Sequence, residues 1–258
     1  MFGKSKLALV VAEFFGAATL TAVVLAISKS GVGFPYFIAI GMALAVAMML
    51  LTVGSVKDVS FNPAITIGMW TARKIGTFNA VLAIAAQLLG ALAAKETYEY
   101  LTEAPLRAAA NSEFDIRVFA AEAIGTFVLG LAVAAAVYYV YDQSRTAAVV
   151  GGGLFLAIVL ASVASNGLVN PAVALGVQSW NVAYALGPVV GAVLAVNLYA
   201  LLFAPSGSFA IAGLISRPAA VKSSKTATKS VQTKARAKTK APAKKKAPAK
   251  RKTTARKR

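Results

Sequence analysis

Few residues in this 258-residue chain could do chemistry, because it contains neither His nor Cys. Imidazole acid–base catalysis, thiolate nucleophiles, disulfides and imidazole or thiolate metal sites are all excluded. What remains is the tripeptide Asn-Pro-Ala, present twice as Asn62, Pro63, Ala64 and Asn170, Pro171, Ala172, and two carboxylates in apolar surroundings, Glu13 and Glu122. Neither set resembles a nucleophile with its base or a ligand cluster, so no catalytic residue, cofactor or metal is expected. Asn is a favoured helix N-cap, its side-chain oxygen accepting an N–H of the first turn, and Pro suits the next position. Each tripeptide therefore reads as the start of a short helix, with about two turns supplied by Ile65 to Ala72 and by Val173 to Trp180. With its oxygen in the cap, each Asn amide keeps N–H donors that could hold a water or hydroxyl without charging it.

Holding such donors in place requires particular elements. Apolar side chains make up 58% of the chain and the mean hydropathy is +0.70, unlike a soluble protein. A bilayer core takes about 20 helical residues. Six stretches qualify, roughly Leu7 to Ser28, Phe34 to Val56, Ile75 to Ala94, Val118 to Tyr141, Ala147 to Ala164 and Asn181 to Ala204. The first follows Lys4 and Lys6 like a secretory signal, but its length and Glu13 favour a retained span. Two shorter apolar pieces, Val59 to Ala72 and Ser165 to Trp180, each hold one Asn-Pro-Ala and cannot cross, so they read as re-entrant segments.

The chain also repeats itself once. Ala12-Glu13-Phe14-Phe15-Gly16 corresponds to Ala121-Glu122-Ala123-Ile124-Gly125 at an offset of 109, and the two Asn-Pro-Ala, with Gly68 and Gly176, at 108. Gln87 to Ala91 partly matches Pro188 to Ala192 at 101. Each half, about residues 1–110 and 111–216, then has three spans and one re-entrant piece. Three is odd, so the halves are inverted relative to one another and the short helices enter from opposite faces. Their N-terminal ends, each carrying roughly half a positive charge, meet near the midplane and oppose cations while sparing neutral molecules. The fold class expected is an all-α integral membrane protein, with six transmembrane helices plus two re-entrant half-helices in an inverted repeat.

A carboxylate in hydrocarbon must face the protein interior and accept hydrogen bonds. Glu13 and Glu122 are accordingly read as structural braces for re-entrant backbone. Gly16, Gly90, Gly125 and Gly191 read as close helix crossings, and Gln87 and Asn197 as interhelical hydrogen-bonding groups. The segment from Lys95 to Arg117 reads as a solvated acidic loop. Of the 27 basic residues, 17 lie from Arg217 onward, where no acid occurs. Residues 217–258 therefore read as a disordered Lys/Ala/Pro-rich cationic tail, able to lie on anionic lipid or contact nucleic acid. Lys4, Lys6, Lys57, Arg73, Lys74, Arg145 and the tail fall on one side, against Lys29, Lys95, Arg107 and Arg117, which places both termini in the cytoplasm.

The pieces AEFFGAATL, SFNPAITIG, QLLGA, AEAIGTFVLG, NPAVALG and GPVVGA, spread over about residues 7 to 204, resemble the aquaporin and aquaglyceroporin channels, the major intrinsic proteins. The resemblance implies a right-handed bundle, a pore in every subunit, a homotetramer in the plasma membrane, and passive conduction of water or small neutral solutes such as glycerol. It implies Asn62 and Asn170 as the donors where the half-helices meet. The chain departs from the family at the selectivity filter. The usual Arg after the second motif is Val173, and the family's spacing puts the other filter positions at Met42 (or Ile40, if the second span is shifted), Ile158 and Gly167. The usual His of water-selective members is thus Ile158, and a His common two residues before the first motif is Ser60. A ring of Met, Ile, Gly and Val offers no fixed cation and no side-chain donor, so it either admits less polar solutes or dewets.

Two other functions fit parts of the sequence. A coupled secondary transporter also uses inverted repeats and broken helices, but needs ionisable groups at the midplane, for which only Glu13 and Glu122 are candidates. A membrane anchor for a nucleic-acid-binding tail would leave the body inert.

Overall fold

A computed structural model of the chain describes residues 3–31, 35–108 and 113–205. The cationic tail and the boundary at residue 216 lie outside the described residues, as does Phe34. The described residues form eight helices: α1 (Lys4–Lys29), α2 (Pro35–Val53), α3 (Pro63–Thr71), α4 (Thr77–Thr102), α5 (Ile116–Tyr138), α6 (Gln143–Ala161), α7 (Pro171–Gly176) and α8 (Val182–Leu202). Six of them are long and apolar enough to cross a bilayer, and α3 and α7 are the two short ones. The long helices turn large apolar side chains outward, including Leu44, Leu89 and Leu194, each more than half exposed. In water that surface would be a liability; in lipid it is the solvated face.

Small residues set how closely the helices approach. A Cβ at Gly90 of α4 would collide with the Phe14 carbonyl of α1, and one at Gly191 of α8 with the Ala123 carbonyl of α5. These contacts occupy equivalent places in the two halves, and both are backbone-on-backbone crossings that only glycine permits. The half-helices are exchanged between the halves. Gly68 of α3 lies against the Ala192 carbonyl of α8, and Gly176 of α7 against the Ala91 carbonyl of α4, with 2.8 Å from a notional Cβ to oxygen in both. Each half-helix thus rests on the last span of the other half, which interlocks the repeats.

Contacts between helix ends define two faces. On the first, Lys6 lies over Phe78, Asn79 donates to Asp58, Gln143 donates to the Leu50 and Leu51 carbonyls, and Tyr139 donates to the Phe203 carbonyl. The start of α1 and the end of α8 therefore share a face. Lys74 and Arg145 sit 3.7 Å over the rings of Tyr138 and Tyr141 there, an arrangement suited to the water–lipid boundary. On the second face, Lys29 approaches Tyr98 and the Leu106 N–H donates to Glu99.

Three expectations need correction. α7 ends at Gly176 and does not continue helical to Trp180. Lys95, Glu96 and Glu99 do not begin a loop: α4 stays helical to Thr102. Lys95 bridges Glu96 at 2.9 Å and Glu99 at 2.8 Å, so these charges partner one another along the last turns of the helix. Gly16 is not a helix crossing, because its Cβ would enter the ring of Phe61, a re-entrant residue.

Candidate functional site

The site is built from two capped helix starts. Asn62 Oδ1 accepts from the Ala64 N–H at 2.9 Å, and Asn170 Oδ1 accepts from Ala172 at 3.0 Å and Val173 at 3.4 Å. Both Asn residues are extended, and Pro occupies the first helical position after each. The two tips are joined reciprocally. Asn62 Nδ2 donates to the Val169 carbonyl at 2.8 Å, and Asn170 Nδ2 donates to the Phe61 carbonyl at 2.9 Å. One amide hydrogen of each Asn is therefore taken up by the opposite half, and one remains for a third partner. Asn62 is 3% exposed and Asn170 2%.

Phe61 and Val169 turn the chain into the caps with φ of 56° and 46°. Left-handed backbone at a non-glycine residue costs about 1–2 kcal/mol, more when the side chain is β-branched. Bonds at both ends of each residue hold it there. Glu13 Oε2 accepts from the Phe61 N–H at 2.7 Å and Glu122 Oε2 from the Val169 N–H at 2.6 Å, while the carbonyls accept from the opposite Asn. The other oxygen of Glu13 takes the Ser60 N–H, and that of Glu122 takes the Leu168 N–H and the Ser165 hydroxyl. Gln87 adds a donor to Glu13 at 2.7 Å and reaches the Ser60 and Thr66 hydroxyls. Asn197 donates to Thr71 of α3, linking α8 to the half-helix beside it.

A cavity of about 370 Å³ opens on the first face, with Ser60, Ile65, Met69, Lys74 and Tyr141 among its walls. On the second face lies a cavity of about 310 Å³ walled by Ser28, Ile38, Leu106, Arg107, Ile158 and Asn166, among others. Asn62, Asn170, Met42 and Val173 line neither cavity and are buried. Of the two alternatives on α2, Met42 is 1% exposed and points inward, whereas Ile40 is 47% exposed on the outer surface. Met42, Ile158 and Val173 share one buried cluster. Gly167 has φ +62°, and a Cβ there would sit 2.9 Å from the Ile158 carbonyl, so glycine is required by both backbone and space.

A family model described as "Major intrinsic protein" matches residues 4–199. The chain belongs to that family. Aquaporin AqpM of Methanothermobacter marburgensis is 30% identical over 228 residues, covering 73% of this chain and 91% of the relative. Aquaporin-5 of Rattus norvegicus is 29% identical over 192 residues, covering 66% and 69%. The X-ray structure of the aquaglyceroporin from Plasmodium falciparum superposes with a TM-score of 0.61 at 20% identity, covering 75% of this chain and 95% of that one, a likeness of fold. The channel is a multi-pass membrane protein that conducts water or small uncharged solutes passively, and it is not an enzyme.

Four further residues at the site, Phe61, Val169, Ser165 and Thr66, belong to no Asn-Pro-Ala motif and carry no carboxylate. The first two stand immediately before each Asn, at the same 108-residue offset, and that shared position is the one mark they carry in the sequence. Their chemically unlike side chains hide the equivalence, since backbone groups do the bonding.

Proposed function

We propose that solutes cross this channel where Asn62 and Asn170 meet, and that Met42, Ile158, Gly167 and Val173 form its selectivity filter. Small uncharged solutes of the glycerol type are its substrates in addition to water. The observation that carries this is the reciprocal pair of Asn-to-backbone bonds: it leaves each tip one free N–H donor beside an otherwise apolar ring. A glycerol hydroxyl can accept from these donors while its carbon edge slides along Met42, Ile158 and Val173, so each polar group stays partnered as it is stripped of water. Pro63, Ala64, Pro171 and Ala172 keep the tips compact enough to meet. Glu13 and Glu122 act as braces, because their oxygens are taken up by re-entrant backbone and by Gln87 or Ser165. A proton-coupling role would have to break that scaffold at every cycle.

Residues 1–216 are the channel body and 217–258 a separate cytoplasmic segment that contacts anionic lipid, with nucleic acid as the competing ligand. Both termini are cytoplasmic, the membrane is the plasma membrane, and the assembly is a homotetramer. Stopped-flow light scattering on proteoliposomes tests the solute class. Glycerol and water should both cross, and Val173→Arg should cut glycerol flux at least about tenfold while cutting water flux less. Equal glycerol flux in the two proteins would remove Val173 from the filter.

A further inference from the structure

The filter positions carry no charge, but the cavity above them does. Among the described residues that wall the second-face cavity, Arg107 is the sole charged side chain, and Ile158 of the filter lines the same cavity. We propose that Arg107, supplied by the α4–α5 connection, is this channel's cation screen: a guanidinium held at the outer mouth in place of one in the constriction. This rests on the passive-channel reading and deepens it.

The connection is built to keep Arg107 there. Glu99 Oε1 accepts from the Leu106 N–H at 2.7 Å, its other oxygen is fixed by Lys95 at 2.8 Å, and Leu106 packs against the main core cluster. The residue next to Arg107 is thus tied to α4 by its backbone and to the core by its side chain. Arg107 itself is exposed, and among the described residues it has no ion-pair partner. Other charges near the mouth are Glu113, Asp115 and Arg117, which wall an adjoining groove that shares Ser162, Ser165 and Asn166 with this cavity; Arg117 lies 3.7 Å from Asp115. Among the described residues that wall this cavity, Arg107 is therefore the one cation, while Lys29 on the same face lies toward Tyr98 and Glu113 of the adjoining groove has no ion pair among the described residues.

The displacement separates two jobs that one filter arginine would combine. A guanidinium in the ring narrows the aperture and repels cations together. One at the mouth repels cations before they shed water and leaves the aperture to Met42, Ile158, Gly167 and Val173, so wider neutral solutes pass while charged ones of equal shape do not. A unit charge acting over about 8 Å, at an effective dielectric constant of roughly 20 to 80, changes the local cation concentration by about two- to thirtyfold, and salt screens it.

Urea and guanidinium are the matched probes, planar and of similar size but differing by one charge. Uptake of each is measured in proteoliposomes of the full chain, at low and at about 0.5 M salt. Arg107→Gln should raise the guanidinium-to-urea permeability ratio at least about threefold at low salt, with the difference collapsing at high salt. Arg107→Lys should keep the wild-type ratio, and adding Val173→Arg to Arg107→Gln should restore exclusion. Glu99→Gln, which loosens the connection, should shift the ratio and its salt dependence in the same direction but less. If urea is excluded and glycerol is not, glycerol is the neutral reference. An unchanged ratio in Arg107→Gln, with neutral flux present, overturns the inference alone. Wild-type vesicles that pass neither water, glycerol nor urea overturn the channel reading and this inference with it.

Discussion

At the scale of residues, the site depends on two left-handed turns that neither Phe61 nor Val169 would adopt unaided. Each is clamped by a carboxylate at its N–H and by an amide from the other half at its carbonyl. Glu13→Gln replaces one acceptor oxygen with an NH₂ facing donors from Phe61 and Gln87 or from Ser60. Leaving a buried donor without its acceptor costs about 1–3 kcal/mol, so the variant should lose about 2–4 kcal/mol. Thermal unfolding in detergent, followed by intrinsic fluorescence, reads this; a midpoint within a degree of wild type would deny the brace. Asn170→Asp is the sharper probe of the tips. It keeps the cap acceptor but removes the donor to Phe61 and sets a negative charge where two positive helix ends meet. Neutral-solute flux should fall several-fold while guanidinium leak rises. Lower flux without a rise in leak would mean that the helix ends contribute little to cation exclusion.

At the scale of elements, glycine marks where helices must touch. Gly90→Ala and Gly191→Ala each drive a methyl group into a carbonyl of the partner helix, and overpacking against backbone costs about 1–3 kcal/mol or more. Both should reduce the yield of monodisperse protein on size-exclusion chromatography. Gly152→Ala is the control: it lies in α6, is exposed, and has nothing within 4 Å of its notional Cβ, so it should be neutral or slightly stabilising. If all three behave alike, close packing is not what the repeated glycines provide. The same contrast explains what the sequence discloses at this scale. Spans are legible because length and hydropathy are local, and the repeat is legible because Glu, Asn, Pro and Gly recur at fixed offsets. The end of α4 is not, because Lys95, Glu96 and Glu99 look like a loop until their pairing along one helix is seen. Nor is the six-residue length of α7, where Gln178 turns left-handed at φ 59° and Ser179 closes back on the Ala174 carbonyl. Reciprocal bonds to Phe61 and Val169 leave no side-chain trace at all.

At the scale of the whole molecule, orientation decides which cavity meets the cytoplasm. The body alone sets six basic residues, Lys4, Lys6, Lys57, Arg73, Lys74 and Arg145, against four on the other face, Lys29, Lys95, Arg107 and Arg117. Residues 217–258 hold 17 more, which the proposed cytoplasmic placement of both termini would add to the first side. Charges act on topology only within about 15–20 residues of a span end. Measured from Leu202, that reach takes in Arg217 and Lys222 and none of the Lys-rich repeats. Removing residues 217–258 should therefore leave the orientation unchanged. The absence of Cys makes this directly measurable, since any introduced thiol is the sole label site. Ala108→Cys, exposed on the second face, should react with a membrane-impermeant maleimide in intact cells. Ser144→Cys, exposed on the first face at the start of α6, should react only after permeabilisation. The pattern should be the same with and without the tail. A truncated chain labelled at both sites in intact cells would show that the tail sets the topology, and that six charges against four are too few to orient this body.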